Sequence, residues 1–309
     1  MTSAPTAPGA VTVRVPAKVN LELLVGPVRD DGYHDLSTVY QAVSLYDEVT
    51  VAPADAWGVS VSGALADGVP TDGDNLALRA ARFLARRCDA DPVHVSIRKG
   101  IPVAGGMAGG SADAAATLVA LDQLWELDLE RDELEAVAAQ LGSDVPFLVA
   151  GGTAMGSGRG ELLAPVLARG TYHWVLALAD GGLSTPAVYA ECDRLRAGSD
   201  VPAPVATPAL MAALRTGDPH ELAPQLTNDL QDAAVSLRPD LGEVLAAGME
   251  YGALGGIVSG SGPTIAFLVD GSEAGIDLAV ALTASGVVRD VRRATGPVHG
   301  AQVLHHRVD

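Results

Sequence analysis

Lysine is nearly missing from this chain of 309 residues: it occurs at Lys18 and Lys99 only, among 20 lysines and arginines together. Few positions are therefore open to a lysine role. Basic blocks are absent, and 38 acidic side chains leave a formal charge of −18. That balance argues against nucleic acid and anionic membrane as partners. It also means that a polyphosphate ligand must be held by local groups. The two cysteines, Cys88 and Cys192, are too few for a disulfide scaffold or a thiolate metal site. No H-x-x-x-H pair suggests zinc. No apolar run approaches the ~18 residues of a spanning helix. The stretch Met1–Ala10 is rich in Ala, Pro and Thr and lacks the basic and apolar regions of a signal peptide. The expectation is a soluble, cytoplasmic protein whose residues 1–10 are disordered.

What the chain does have is glycine in one conspicuous place. Ile101-Pro102-Val103-Ala104-Gly105-Gly106-Met107-Ala108-Gly109-Gly110-Ser111-Ala112-Asp113 carries four glycines in six positions, 105 to 110. It follows a strand-like Val93–Ile97. It precedes a helical pattern with Ala114, Ala115, Leu118, Leu121 and Trp125 at three- and four-residue spacing. A glycine-rich loop entering a helix suits phosphate. The backbone can approach an anion closely, and the first-turn N–H groups point at it with the helix dipole. Ser111 is a candidate N-cap, or its hydroxyl faces a phosphate or metal. The alternative is a helix start packed tightly on a sheet. Neither standard nucleotide loop fits: G-x-x-x-x-G-K-[ST] occurs nowhere, and no G-x-G-x-x-G falls here.

Hydrophobic residues make up 48% of the chain, enough for a sizeable core in roughly two domains. Strands are expected at Val11–Val15 and Val19–Val25, interrupted at Pro16-Ala17-Lys18, then at Val39–Val51, broken near Asp47, and at Val59–Val61. An amphipathic helix is expected over Asn75–Cys88. Asp132-Glu133-Leu134-Glu135 reads as a capping box for a helix ending at Gly142. Another helical turn starts at Ser143–Pro146, and Gly151–Gly156 is strand and turn. A second unit begins near Ala164. Its strands are expected at His173–Ala179, Thr264–Val269, Val287–Arg293 and Ala301–His305, and Gly255–Ser259 leads into a further glycine-rich stretch. Its helices are expected at Thr185–Arg196, 209–215, Asp229–Leu237, Leu241–Tyr251 and Glu273–Ala284. The fold class is α+β, with helices on one antiparallel sheet of ferredoxin-like type in the second unit.

Several further residues have bland readings when taken singly. Ser259-Gly260-Ser261-Gly262-Pro263 is a second glycine-rich loop or a tight turn. Lys18 is an ordinary surface lysine, Asp144 a helix cap, and Asn20, Asn228 and Tyr33-His34 are turn or packing residues. Their order along the chain says more. Pro16-Ala17-Lys18-Val19-Asn20-Leu21, Asp31-Gly32-Tyr33-His34-Asp35-Leu36, the glycine loop, Gly142-Ser143-Asp144-Val145-Pro146-Phe147 and the Ser259 loop together resemble the GHMP kinases. The resemblance runs from about Val13 to Val269. Asn228-Asp229-Leu230, with the first, second and fourth of these segments, points to the branch whose acceptor is a cytidyl-capped methylerythritol of the non-mevalonate isoprenoid pathway.

The resemblance implies an N-terminal ATP-binding domain of the ribosomal S5 domain 2-like type, residues 1–163, and a ferredoxin-like C-terminal domain, residues 164–309. It implies ATP and Mg2+ as co-substrate and cofactor. ATP would lie on Pro102, Val103, Ala104, Gly105, Gly106, Met107, Ala108, Gly109, Gly110 and Ser111. Lys18 and Asp144 match the catalytic pair. Asn20, Tyr33, His34, Thr185, Tyr189, Ser261 and Gly262 match acceptor-binding positions. Ala104, Ala108 and Ala112 stand where many members have Gly, Gly and Ser, which questions the path of the loop. The rival readings are a mevalonate- or homoserine-type kinase, disfavoured by the D-G-Y-H segment, and a nucleotide sensor, disfavoured because Lys18 and Asp144 are both retained.

Overall fold

The computed structural model describes residues 9–179 and 181–304. The disorder expected of residues 1–10 lies, for 1–8, outside the described residues. A long hairpin opens the fold: β1 (Val11–Val28) runs antiparallel to β2 (His34–Pro53). The expected break at Pro16-Ala17-Lys18 is instead a register shift within one strand, where Pro16 faces Tyr46 but Ala17 faces Val43. Proline gives the ladder no N–H, and a bulge absorbs the missing bond. Nor does Asp47 break β2. Its buried carboxylate turns inward and accepts the N–H groups of Gly100 (2.6 Å) and Ile101 (2.9 Å).

The first unit continues through β3 (Gly58–Ser62), α1 (Leu76–Cys88), β4 (Val93–Arg98), α2 (Gly109–Leu124), α3 (Arg131–Ala139), α4 (Val145–Ala150), β5 (Thr153–Ser157) and β6 (Leu162–Pro165). Asn75 caps α1, its side chain accepting from the N–H groups of Ala77 (2.9 Å) and Leu78 (3.2 Å). The capping interaction of α3 lies two residues before the expected one: Glu133 accepts the N–H of Glu130 at 3.1 Å. That helix ends at Ala139, short of Gly142. Helix α2 is the central one. Ala112, Ala114, Ala115, Ala116 and Ala120 are fully buried beside Leu118 and Leu121. Alanine on all sides lets α1 and the β1–β2 hairpin approach closely. Each buried leucine adds about 1.5–3 kcal/mol of burial free energy.

The second unit contains β7 (Tyr172–Leu178), α5 (Thr185–Leu195), α6 (Pro208–Thr216), α7 (Pro219–Leu222), β8 (Thr227–Asn228), α8 (Gln231–Leu237), α9 (Asp240–Glu250), β9 (Gly255–Val258), β10 (Ile265–Val269), α10 (Gly271–Ser285), β11 (Asp290–Gly296) and β12 (Gln302–Val303). Its four-stranded sheet has the order β11-β7-β10-β9, antiparallel throughout, which is the ferredoxin-like arrangement. Strand alternation sorts its side chains. Val175, Ala177 and Phe267 meet α5, α8, α9 and α10 in one core, while Trp174, Leu176 and Leu268 join the core of the first unit.

The larger sheet has the path β12-β1-β2-β4-β3, with β5 on β2, β6 on β5 and β8 on β1. Two of these strands arrive from the second unit: Thr227–Asn228 pairs with Glu22 and Leu23, and Gln302–Val303 pairs with Arg14 and Val13. We propose that the division into 1–163 and 164–309 holds, with these two strands contributed by the second unit to the sheet of the first. The expected strand Ala301–His305 is confined to Gln302–Val303, and its last residue falls outside the described ones. Among the described residues no helix is long and apolar enough to cross a membrane.

Candidate active site

The glycine loop connects β4 to α2, and it is tied down from beneath by the second lysine. Lys99, 4% exposed, donates to the carboxylates of Asp47 and Asp113 (2.9 Å) and to the carbonyl of Gly109 (3.3 Å). Asp47 also holds the loop's first two N–H groups, so both ends of the loop meet at one ammonium. Burial pushes the Asp113 carboxyl well up, against the pull of Lys99. The N-cap position of α2 is Ala108, not Ser111, and it offers no side-chain acceptor. The first-turn N–H groups thus have no side-chain cap, and Gly109, Gly110 and Ser111 line the cleft. Ser111 is the third helical residue and lines the cleft. Ala104 (φ 50°) and Ala108 (φ 62°) adopt left-handed backbone where glycine is usual. The loop keeps the glycine path at a cost of roughly 1–2 kcal/mol per alanine.

The second loop closes against the first. Ser259 donates its hydroxyl to the carbonyl of Gly106 at 3.2 Å, and Thr264 N–H bonds the carbonyl of Gly105 at 3.2 Å. Asn228 braces it from behind, donating to the carbonyls of Val258 (2.8 Å) and Gly260 (2.7 Å). Ser261 and Thr185 share a hydroxyl hydrogen bond of 2.9 Å, linking this loop to the start of α5.

Between the loops runs β1. Val15, Ala17, Val19 and Leu21 point into the core, so Lys18 and Asn20 share the opposite face. Lys18 Nζ donates to Asn20 Oδ1 at 2.6 Å, and Asn20 Nδ2 donates to Thr38 Oγ1 at 2.8 Å. Asn20 therefore orients the lysine. Burial lowers the Lys18 pKa, partly offset by the nearby Asp144 carboxylate. Asp144 occupies the N-cap position of α4 but makes no capping hydrogen bond, which leaves its carboxylate available to the cleft. Tyr40 stands between the two. It is stacked on Phe147 at 4.9 Å, 5.7 Å from Lys18 Nζ, and its hydroxyl is pushed well up by burial and then by Asp144.

The far wall comes from the β1–β2 turn and α5. Tyr33 is exposed, with the Arg159 guanidinium 5.3 Å from its ring centre. His34 is buried and donates Nδ1–H to the carbonyl of Gly26 at 2.8 Å, since a carbonyl can only accept. Tyr189 stacks on the His34 ring at 5.3 Å. Burial raises the Tyr189 hydroxyl pKa.

All of this opens onto one cleft of about 830 Å³. The structure brings Lys18, Asn20, Tyr33, His34, Ala104, Gly105, Gly106, Ala108, Gly109, Gly110, Ser111, Asp144, Thr185, Tyr189, Ser261 and Gly262 to its walls. Pro102, Val103 and Met107 do not line it, and Met107 is fully buried in the core while its carbonyl takes the Lys18 N–H at 3.4 Å.

The chain matches the GHMP kinases N terminal domain over residues 75–152 and the GHMP kinases C terminal domain over residues 210–287. It is 59% identical over 298 residues to 4-diphosphocytidyl-2-C-methyl-D-erythritol kinase of Nocardia farcinica, covering 96% of this chain and 97% of that protein. The protein of the same name from Mycolicibacterium smegmatis is 59% identical over 304 residues, covering 96% and 93%. The chain belongs to the 4-diphosphocytidyl-2-C-methyl-D-erythritol kinase family of the GHMP kinases. A crystal structure of 4-(cytidine 5'-diphospho)-2C-methyl-D-erythritol kinase superposes with a TM-score of 0.73 at 33% identity, covering 92% of this chain and 98% of that one. The homoserine kinase of Cytophaga hutchinsonii shares the fold, with a TM-score of 0.72 at 18% identity over 98% of this chain and all of that one. Kinases of the GHMP group use ATP as co-substrate.

Tyr40, Arg159 and Asp193 line the cleft and escaped the sequence reading. Tyr40 sits in an apolar strand run and Arg159 in a glycine-rich turn. Asp193 does carry a signal: it lies four residues after Tyr189, on the same helix face.

Proposed function

We propose that the chain transfers the γ-phosphoryl group of ATP to the 2-hydroxyl of 4-diphosphocytidyl-2-C-methyl-D-erythritol, giving the 2-phosphate and ADP, with Lys18 and Asp144 as the catalytic pair. The observation that carries this reading is the single cleft in which an uncapped glycine loop, a buried lysine beside a carboxylate, and a wall of two tyrosines and a histidine meet. Phosphoryl transfer needs positioning, charge neutralisation and an oriented hydroxyl. The N–H groups at the start of α2 hold the phosphates of ATP. Asp144 accepts the proton of the attacking hydroxyl. Lys18, held by Asn20, stabilises negative charge on the oxygens in transfer. Tyr33 and Tyr189 stack on the cytosine, while Arg159, beside Tyr33, faces the acceptor diphosphate.

Magnesium fits the donors present. Among the described residues no group of three or more His, Cys, Asp or Glu forms a metal site of its own. Mg2+ keeps most of its waters and binds through one or two protein oxygens plus substrate phosphates. Ser111 and Asp144 supply oxygens at the cleft wall. Bound there, Mg2+ neutralises charge on the phosphates. The reaction belongs to the cytoplasm, on small molecules alone.

The test is a panel of acceptors incubated with ATP and Mg2+ and read by ADP release. Turnover is expected with the cytidyl-methylerythritol acceptor. Turnover of mevalonate or homoserine in its place overturns the assignment, and ATP binding without any turnover favours a sensor.

A further inference from the structure

Asp193 is half-exposed in the cleft and has no assigned role. It extends from α5 one turn beyond Tyr189, and its Oδ2 lies 3.5 Å from Nε2 of His34. That gap is longer than a hydrogen bond. Because His34 commits Nδ1–H to the Gly26 carbonyl, Nε2 of the neutral ring carries a lone pair and no proton. Two acceptors thus face one volume at the end of the cleft where Tyr33 and Tyr189 stand. Among the described residues no hydrogen bond reaches the Asp193 carboxylate. The neighbouring cation Arg196 is already engaged, with Asp229 at 2.9 Å and the carbonyl of Val25 at 2.8 Å.

We infer that Asp193, together with Nε2 of His34, is the selector for the exocyclic amino group of the base, and so determines cytosine over uracil. The inference rests on the acceptor reading given above. Cytosine carries two N–H donors on one nitrogen at its 4-position. Uracil carries a carbonyl oxygen there, which would face a carboxylate lone pair to lone pair. A site built to receive an N–H rejects an analogue lacking it far more strongly than a hydrophobic pocket rejects a missing methylene, since its own polar groups are left unpaired. Asp193 adds to His34 because both oxygens of a carboxylate accept N–H groups, whereas the imidazole offers only the lone pair of Nε2.

The experiment compares kcat/KM for two acceptors that differ only in the base, the cytidyl- and uridyl-capped methylerythritol diphosphates, in the wild type, Asp193→Asn and Asp193→Ala. Calorimetric titration with CDP and with UDP gives a readout independent of turnover. The wild type is expected to prefer the cytidyl acceptor strongly. In Asp193→Asn, whose amide can donate to the uracil carbonyl, the cytidyl-to-uridyl ratio of kcat/KM is expected to fall at least tenfold. The CDP-to-UDP affinity ratio is expected to fall with it, while the KM for ATP and the melting temperature hold. Asp193→Ala is expected to lose cytidyl preference without gaining uridyl turnover. A ratio unchanged in both variants overturns the inference alone, provided the wild type turns over the cytidyl acceptor. A wild type that turns over neither acceptor overturns the functional reading, and this inference falls with it.

Discussion

Gly106 and Ser259 meet backbone to backbone: a Cβ on Gly106 would lie 1.9 Å from the Ser259 carbonyl oxygen, and the Ser259 hydroxyl donates to the Gly106 carbonyl at 3.2 Å. Gly106 also has φ +75°. No other residue fits this contact between the two loops, which belong to different sheets.

The glycines of the loop between β4 and α2 therefore separate into two groups with different mutational outcomes. Gly106→Ala is expected to destabilise the fold by about 1–3 kcal/mol or more through overpacking, and to raise the KM for ATP as the loops part. A Cβ on Gly110 would meet nothing within 4 Å. Gly110→Val is expected to leave the melting temperature in place and raise the KM for ATP by roughly tenfold or more, because the side chain enters the space where backbone N–H groups meet phosphate. Gly109→Val belongs with the first group, since its Cβ would press on the Pro102 carbonyl (3.2 Å) and Lys99 Nζ (3.3 Å). An unchanged ATP KM in Gly110→Val would place the triphosphate elsewhere.

Asp144→Asn keeps the shape of the side chain and removes the proton acceptor. With no capping bond at stake, its melting profile should match wild type while kcat falls by ~10²–10⁴ with little change in either KM. Lys18→Met should also lower kcat. The double variant should be little worse than the worse single one, as for residues that act as one unit. Near-wild-type turnover by Asp144→Asn would remove the base from the mechanism.

Acceptor binding tests whether Tyr33 and Tyr189 stack on the base. Tyr33→Ala and Tyr189→Ala should each weaken it roughly tenfold to a hundredfold or more, from about 1–3 kcal/mol per stacked base. ATP affinity should hold. Tyr189→Ala also removes the ring stacked on His34, and is expected to be the more damaging of the two. Wild-type acceptor affinity in both variants would make these rings mere packing.

Asp113 gives a stability test that is independent of activity. Its carboxyl is raised well above the usual value by burial, so the native state binds more protons than the unfolded state over the interval between the two values. Stability from this group is complete below the unfolded value and is lost as pH rises through the folded one. Asp113→Asn is expected to remove that slope and to gain on wild type as pH rises. Chemical denaturation at a series of pH values measures it. Parallel pH dependence in the two proteins would show that Asp113 does not titrate in this interval.

How far the sequence was legible depends on how local each feature is. The glycine loop, its helix and the extent of α1 are written in adjacent residues and stand where expected. The ferredoxin-like unit was readable from the order of its elements. Pro16 misled because its bulge depends on the partner strand. Of the two readings of Ser111, the N-cap fails because Ala108 takes that position in a left-handed conformation that alanine seldom adopts. The Lys99 cluster was invisible for another reason: Asp47 lies 52 residues away and Asp113 lies 14, and nothing in either stretch marks a buried acid. Tyr40 reads as one more apolar strand position until Asp144 is placed beside it.

The free edge of β1 is covered at Glu22 and Leu23 by Thr227–Asn228, and at Val13 and Arg14 by Gln302–Val303. The strand that carries Lys18 is thus synthesised well before the two segments that seal its edge. A nascent chain stopped anywhere before residue 302 would carry a stretch of unsatisfied strand edge next to its cleft, the kind of surface that invites pairing with a stranger. Quality control of this kinase during synthesis should therefore turn on Thr227–Asn228 and Gln302–Val303 as much as on its core.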